Sequence, residues 1–226
     1  MDGRTIIVGG GGFARELYFW LGDCAQAGSL PPLAGYLDDA GDVLANRAAY
    51  DMAYLGGIEA ADIRPGDRFV LAIGSPATKR LIHERLATRG AVFPTVIHPT
   101  CTVTGTAAIG EGVVLCPGCI MGPDSIVERF ATLNTGSGTG HDSSVGEFSV
   151  LASRVAISGF VRIEPDVSIG SGVVLLPNVK IGRGALIGPG CVVYRSVKPG
   201  TTIYLPPPKS MRLNKGAPSY SQDRVS

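Results

Sequence analysis

From Ile97 to Val193 the chain repeats with a period of six residues. Stepping by six gives Ile97, Val103, Ile109, Leu115, Met121, Val127, Leu133, Thr139, Val145, Leu151, Ile157, Ile163, Ile169, Leu175, Ile181, Ile187 and Val193. Thr139 alone interrupts an aliphatic column. The next position is often glycine, as at Gly110, Gly122, Gly140, Gly146, Gly170, Gly182 and Gly188. The position two before each aliphatic is small or valine, as at Cys119, Ala131, Ser137, Ser149 and Val161. Neither an α-helix nor a flat sheet has this period. A triangular coil does: each hexad is a short strand plus a corner, and three hexads close one turn of 18 residues. The aliphatic side chain points inward, and coils stack about 4.8 Å apart through backbone hydrogen bonds. The register holds from 97 to 193, predicting roughly five coils and a prism about 25 Å tall. Glycine is expected at corners that require positive φ.

Up to Val96 the pattern differs. Thr5-Ile6-Ile7-Val8 reads as a buried strand ending in Gly9-Gly10-Gly11-Gly12, and Phe13 to Leu21 follows with helical spacing. A second strand is expected at Leu33–Leu37 before Asp38-Asp39, and a third at Phe69–Ile73 before Gly74-Ser75-Pro76. Ser75 suits a helix N-cap with Pro76 at the first helical position, the helix running to about Arg89 before Gly90. The predicted organisation is a small Rossmann-like α/β unit over 1–96, an all-β parallel β-helix over 97–204 and a Pro-rich C-terminal tail over 205–226. The tail from Leu213 onward is polar and expected to be disordered.

These features together resemble the hexapeptide-repeat acyltransferases. Within them the likeness is to the branch that acetylates nucleotide-linked amino sugars in bacillosamine, perosamine and sialic-acid pathways. The residues that carry it are the aliphatic–Gly–x–x–small–x repeat, the Gly-rich first turn, Leu37-Asp38-Asp39, Ala72-Ile73-Gly74-Ser75, Val96-Ile97-His98-Pro99 and the run from Asn134 to Glu147. The resemblance implies a left-handed β-helix, acetyl-CoA as cosubstrate, no metal, and a homotrimer with its active sites between neighbouring subunits.

Acetyl transfer from a thioester needs a base for the acceptor, a donor for the oxyanion and a groove for pantetheine. Histidine suits the base because it titrates near neutrality. The chain has three. His83, in the second helix, reads as a surface or helix-face residue. His98, before Pro99 at the start of the repeat, reads as structural. His141 follows Thr139 within Gly136-Ser137-Gly138-Thr139-Gly140-His141-Asp142, where a polar break in the core column adjoins a His-Asp pair. Spacing alone leaves a solvated corner histidine equally open. The resemblance implies that His141 is the general base, with Asp142 orienting it. Strand neighbours point to opposite faces, so the pairing requires a turn.

Gly11, Gly12 and Phe13 open a helix after a strand, where backbone N–H groups can approach phosphate oxygens. A packing turn without ligand is the alternative. The resemblance implies a nucleotide-sugar there, with Asp38 or Asp39 near the nucleoside and Gly74 and Ser75 completing the pocket. Asn134 either binds substrate or stacks at a corner. By the same resemblance the coenzyme groove is expected along Gly159, Ser171, Gly188 and Pro189. Arg183, Arg195 and Lys198 are phosphate contacts or solvated charges. Cys116-Pro117-Gly118-Cys119 looks like a metal or redox pair, but Cys119 fills the small position of the repeat and no second pair exists.

Three departures from the family pattern stand out. Phe13 replaces a frequent histidine, Val150 replaces a histidine at the coenzyme, and Leu205-Pro206-Pro207-Pro208-Lys209 replaces a closing Gly-x-Pro-Ala-Lys. A net charge of +1 gives no field for nucleic acid. Five scattered cysteines, with no basic and apolar leader and no long apolar run, fit a cytoplasmic protein without a membrane span. A sugar O-acetyltransferase or a non-catalytic nucleotide-sugar-binding protein are the other readings. Zinc enzymes on the same prism need three histidine ligands, and only His98 and His141 lie in the repeat.

Overall fold

A computed structural model of the chain describes residues 3–206. Of the expected tail only Leu205 and Pro206 fall within it; residues 207–226 lie outside the described part.

The first unit is built from β1 (Thr5–Val8), α1 (Gly12–Gln26), β2 (Leu33–Leu37), β3 (Ala53–Tyr54), β4 (Arg68–Leu71) and α2 (Pro76–Ala87). The four strands are parallel in the order β3-β2-β1-β4. Ala14, Leu17, Leu21 and Cys24 form the buried stripe of α1. Ser75 caps α2 by accepting from the Thr78 N–H at 3.4 Å, with Pro76 inside the first turn. The two-residue β3 was not foreseen, since Ala53-Tyr54 carries no alternation to read.

From Val96 the chain winds into a three-sided parallel β-helix of eighteen two-residue strands, ending at Thr202–Ile203. Its faces hold seven, six and five strands. Residues pair with those 18 positions on, as in Val114↔Thr132, Gly138↔Ala156 and Ile126↔Ser144. Both predicted inward positions of the hexad fill one continuous core, from Val113 and Leu115 to Cys191 and Val193. The column extends to Val197 and Ile203, which pair with Ile181 and Ile187 only 16 positions back. The corner after Val193 is therefore two residues short. Ile97 and Val103 were expected inside but are exposed, because no coil stacks above the first one.

The role of the repeat glycines needs correction. The glycines directly after the aliphatic position do not have positive φ. They are required because a Cβ there would strike the next coil: 2.5 Å from Pro189 N at Gly170, and 2.6 Å from the Ser158 carbonyl carbon at Gly140. The left-handed residue lies two positions later. It is glycine at Gly136 and Gly172, but Asp124, Phe130, Asp142, Phe148, Phe160 and Asn178 also adopt it, with φ of 56–64°.

The first unit packs across the seven-strand face, whose outward Val96, Val114 and Thr132 are buried. At one border of that face, Asp23 of α1 meets His98. At the other, α2 docks on the corners carrying Phe130, Phe148 and Asp166.

Candidate active site

His141 and Asp142 occupy the edge between the six-strand and five-strand faces, in the corner after Gly138–Thr139. Asp142 has φ 57°, and this left-handed turn swings its carboxylate beside the preceding ring. Nδ1 of His141 lies 2.8 Å from Asp142 Oδ2, and the imidazole remains 57% exposed. The pairing fixes Nδ1–H as donor to the carboxylate and leaves the Nε2 lone pair free to accept a proton. The polar break in the core is satisfied internally: Thr139 Oγ1 donates to Ser125 Oγ at 3.0 Å and accepts from the Gly122 N–H at 3.2 Å. It does not point to the site.

One coil further on, Gly159 and Phe160 lie beneath His141 and Asp142. Phe160 meets the imidazole edge-on, with centroids 5.1 Å apart and planes at 89°. Beside Asp142 opens a cavity of about 320 Å³ lined by Phe160, Arg162, Asn178, Val179 and Lys180. Sequence reasoning missed Phe160 and Arg162. The signal was present, since Phe160 is 18 positions after Asp142. Lys180 is paired with Glu164 at 2.6 Å, whereas Arg162 has no carboxylate partner among the described residues.

The expected nucleotide residues gather at the carboxyl ends of β1, β2 and β4. Asp38 Oδ2 accepts from the Gly10 N–H at 2.7 Å and Oδ1 from the Ala40 N–H at 2.8 Å, so this carboxylate shapes the glycine loop. Asp39 is exposed and accepts from the Ile58 N–H at 2.7 Å. Gly11, Gly12, Gly74 and Ser75 are exposed, and Phe13 packs against Trp20. The Arg15 guanidinium lies alongside Gly12, a cation at this helix start that the sequence reading passed over.

Asn134, Ser171, Gly188 and Pro189 occupy a different edge, between the seven-strand and six-strand faces. Asn134 Oδ1 accepts from the Thr135 N–H at 2.6 Å. Within one copy they do not meet His141, and neither do the loops of the first unit, because the prism body stands between. Arg183 lies on the third edge, paired with Asp166 at 3.0 Å.

The other two histidines are accounted for structurally. His98 is buried, with Nε2 3.0 Å from Asp23 Oδ2 and Nδ1 2.8 Å from Thr100 Oγ1. Of the two readings of His83, surface or helix-face, the structure gives the half-buried face of α2 that packs on the prism. The His83 ring sits among Phe93, Phe130 and Phe148, with centroids 5.0, 4.0 and 5.5 Å away, and burial lowers its pKa. Cys116 and Cys119 are both buried, the latter in the prism core. No group of three or more metal-ligating side chains occurs among the described residues. No helix among them is long and apolar enough to cross a membrane.

Residues 160–195 match the family described as bacterial transferase hexapeptide (six repeats). A 104-residue stretch of this chain is 32% identical to GDP-perosamine N-acetyltransferase of Escherichia coli O157:H7, covering 46% of the chain and 47% of that relative. The match thus spans about half the relative's length. Among solved structures, the chain superposes on perosamine N-acetyltransferase from Caulobacter crescentus, in complex with CoA and GDP-perosamine, with a TM-score of 0.80. That alignment has 25% identity over 89% of this chain and 93% of the other. The acetyltransferase domain of PglB from Neisseria gonorrhoeae shares the fold, with a TM-score of 0.79 and 24% identity over 88% and 95% of the two chains.

Proposed function

We propose that this chain is an acetyl-CoA-dependent N-acetyltransferase for the amino group of a nucleotide-linked sugar of the 4-amino-4,6-dideoxy type. The observation that carries the reading is the exposed His141–Asp142 pair on a prism edge that borders an uncharged face. The resemblance to proteins solved with CoA and GDP-perosamine supports the choice of donor and acceptor.

The outward residues of the six-strand face are Thr102, Ile120, Gly138, Ala156, Val174 and Val192, with Ile120 and Val192 more than half exposed. An apolar face of this length favours association. It is bordered on one side by the His141 edge and on the other by the edge with Asn134, Ser171, Gly188 and Pro189. Three copies turned with this face toward a common axis bring the first edge of one copy against the second edge of the next. The first unit of that neighbour, which covers the adjoining seven-strand face, then faces His141. A homotrimer therefore unites residues that a single copy keeps apart, and this supports both the assembly and the shared site.

In the proposed reaction the neutral acceptor amine attacks the thioester carbon within a ternary complex. His141 Nε2 takes the amine proton while Asp142 stabilises the resulting imidazolium. A backbone N–H stabilises the oxyanion. The C–S bond then breaks, and the coenzyme A thiolate leaves and takes up the proton held by His141. No acyl-enzyme forms.

The test is thiol release from acetyl-CoA with GDP-perosamine and a panel of other nucleotide-linked amino and hydroxy sugars. Turnover with an amino sugar that His141→Ala abolishes is expected. Turnover only with hydroxy acceptors would replace the reading by O-acetylation, and none at all would overturn it.

A further inference from the structure

The corner above which His141 sits raises a question of packing rather than of chemistry. On the edge between the six-strand and five-strand faces, the middle corner position runs through Pro123, His141, Gly159 and Pro177 in four successive coils. Proline at two of these shows that the backbone there has φ near −65° and accommodates a side chain. Gly159 does not have positive φ; the left-handed residue of its corner is Phe160, at 59°. Backbone conformation therefore gives no reason for glycine at 159.

The reason is the imidazole one coil above. The register Gly138↔Ala156 and Thr139↔Ile157 places residue 141 directly over residue 159. A Cβ built on Gly159 falls 2.5 Å from His141 Nε2, 2.6 Å from Cε1 and 3.1 Å from Nδ1. The ring thus lies against the bare Cα, in the space that a side chain would take. Phe160 closes the side, edge-on to the imidazole, and its N–H donates to the His141 carbonyl at 3.1 Å. Asp142 holds Nδ1 at 2.8 Å. A half-exposed histidine ordinarily samples several rotamers; this one is bounded on three sides, with Nε2 the nitrogen left unengaged.

We propose that Gly159 and Phe160 form the seat of the His141 imidazole and are positioning residues for the base. The inference rests on the acetyltransferase reading for its kinetic consequence, but not for its structural one. Gly159→Ala must displace the ring, because the Cβ and the imidazole cannot share the site, and the displaced ring loses Asp142. Misplacement of a reacting group by about 1 Å costs on the order of 10²-fold in rate. The amine-binding surface is untouched, so the loss falls on kcat while KM for the acceptor stays near wild type.

The test uses the full-length protein and two readouts. With only three histidines in the chain, the His141 ring resonances can be assigned in NMR spectra by their loss in His141→Ala. In Gly159→Ala the His141 chemical shifts are expected to move, and kcat to fall roughly 10²-fold. Pro177→Ala, at the same corner position two coils below His141, is expected to leave both unchanged. Because Gly159→Ala could also weaken the coil, Phe160 supplies a second pair: Phe160→Tyr keeps the edge contact and should retain more of kcat than a variant without the ring. Phe160→Asn tolerates the left-handed turn but lacks the ring, and should lower kcat at least tenfold. Unaltered His141 resonances in Gly159→Ala would overturn the seat. Altered resonances with wild-type kcat would overturn its role in positioning, as would equal rates for Phe160→Tyr and Phe160→Asn. If wild type releases no thiol from acetyl-CoA with any acceptor, the acetyltransferase reading fails, yet the NMR comparison still decides the seat.

Discussion

Nδ1 of His141 and Oδ2 of Asp142 lie 2.8 Å apart because Asp142 takes the left-handed corner position, so two consecutive residues that would diverge in a strand point the same way. If the pair is the base and its orienter, His141→Ala should lower kcat by about 10²–10⁴-fold, the usual worth of general-base catalysis. Asp142→Asn keeps a residue that tolerates positive φ and removes only the charge. Its loss should be smaller, about tenfold. Both variants should retain the wild-type oligomer. Equal turnover in wild type and His141→Ala, measured by thiol release, would remove His141 from the mechanism.

The six-strand face gives the second prediction. Ile120 and Val192 are 55% and 54% exposed in a single copy, and no charged side chain interrupts the outward row between them. Ile120→Asp or Val192→Asp would bury a carboxylate at the axis of the proposed trimer, at a cost of several kcal/mol. Light scattering should show the mass of the wild type reduced threefold in the variant, with the circular dichroism of the coil unchanged. A wild type that is already monomeric would refute the trimer.

Much of this architecture could be read from spacing, because the β-helix imposes one rule on every hexad. The aliphatic column gave the inward side chains from Leu115 to Val193 and the 18-residue register. Features that depend on other coils or a second copy escaped. The glycine after each aliphatic was assigned to positive φ when its function is close approach between coils, a distinction that depends on atoms 18 residues away. The grouping of Asn134, Ser171, Gly188 and Pro189 on one edge and His141 on another follows from counting hexads modulo three, yet its meaning emerges only with a second copy. The choice between surface and helix face for His83 stayed open for a related reason. α2 has a mixed outer surface, and only the tertiary fold sets its ring against Phe130 and Phe148 at the prism corner.

The two kinds of glycine make opposite demands, and paired substitutions separate them. At Gly170 a Cβ would lie 2.5 Å from Pro189 N and 2.8 Å from its Cα, backbone atoms that cannot yield locally. Gly170→Ala should therefore cost about 1–3 kcal/mol as overpacking, and a larger Gly170→Asn more. Gly172 has φ 69° and open space around it. Gly172→Ala should cost about 1–2 kcal/mol as backbone strain, but Gly172→Asn less than Ala, as Asn178 occupies the same corner position elsewhere in the repeat. Denaturant midpoints in which Asn is worse than Ala at both sites would show that the two positions are alike.

Lys79 gives the last prediction. It is buried between α2 and the prism, where Nζ donates to Thr132 Oγ1 at 2.7 Å and to the Phe130 carbonyl at 3.1 Å. Two acceptors match the two hydrogens of a neutral amine, and no carboxylate reaches it among the described residues. Burial lowers its pKa to about 7, against 10.5 for the exposed group, with Cys116 nearby acting weakly in the other direction. Below about pH 7 both folded and unfolded chains carry the proton, and Lys79 contributes no slope. Between about 7 and 10.5 the unfolded chain holds a proton that the folded one has released, so folding becomes more favourable as pH rises, by up to about 1.4 kcal/mol per unit. Lys79→Met removes this dependence while leaving Thr132 and Phe130 without their donor. The stability difference between wild type and Lys79→Met should therefore widen from pH 7 to pH 9 in urea titrations. A difference that stays constant would mean that Lys79 is charged in the folded protein and that its two hydrogen bonds are made by an ammonium.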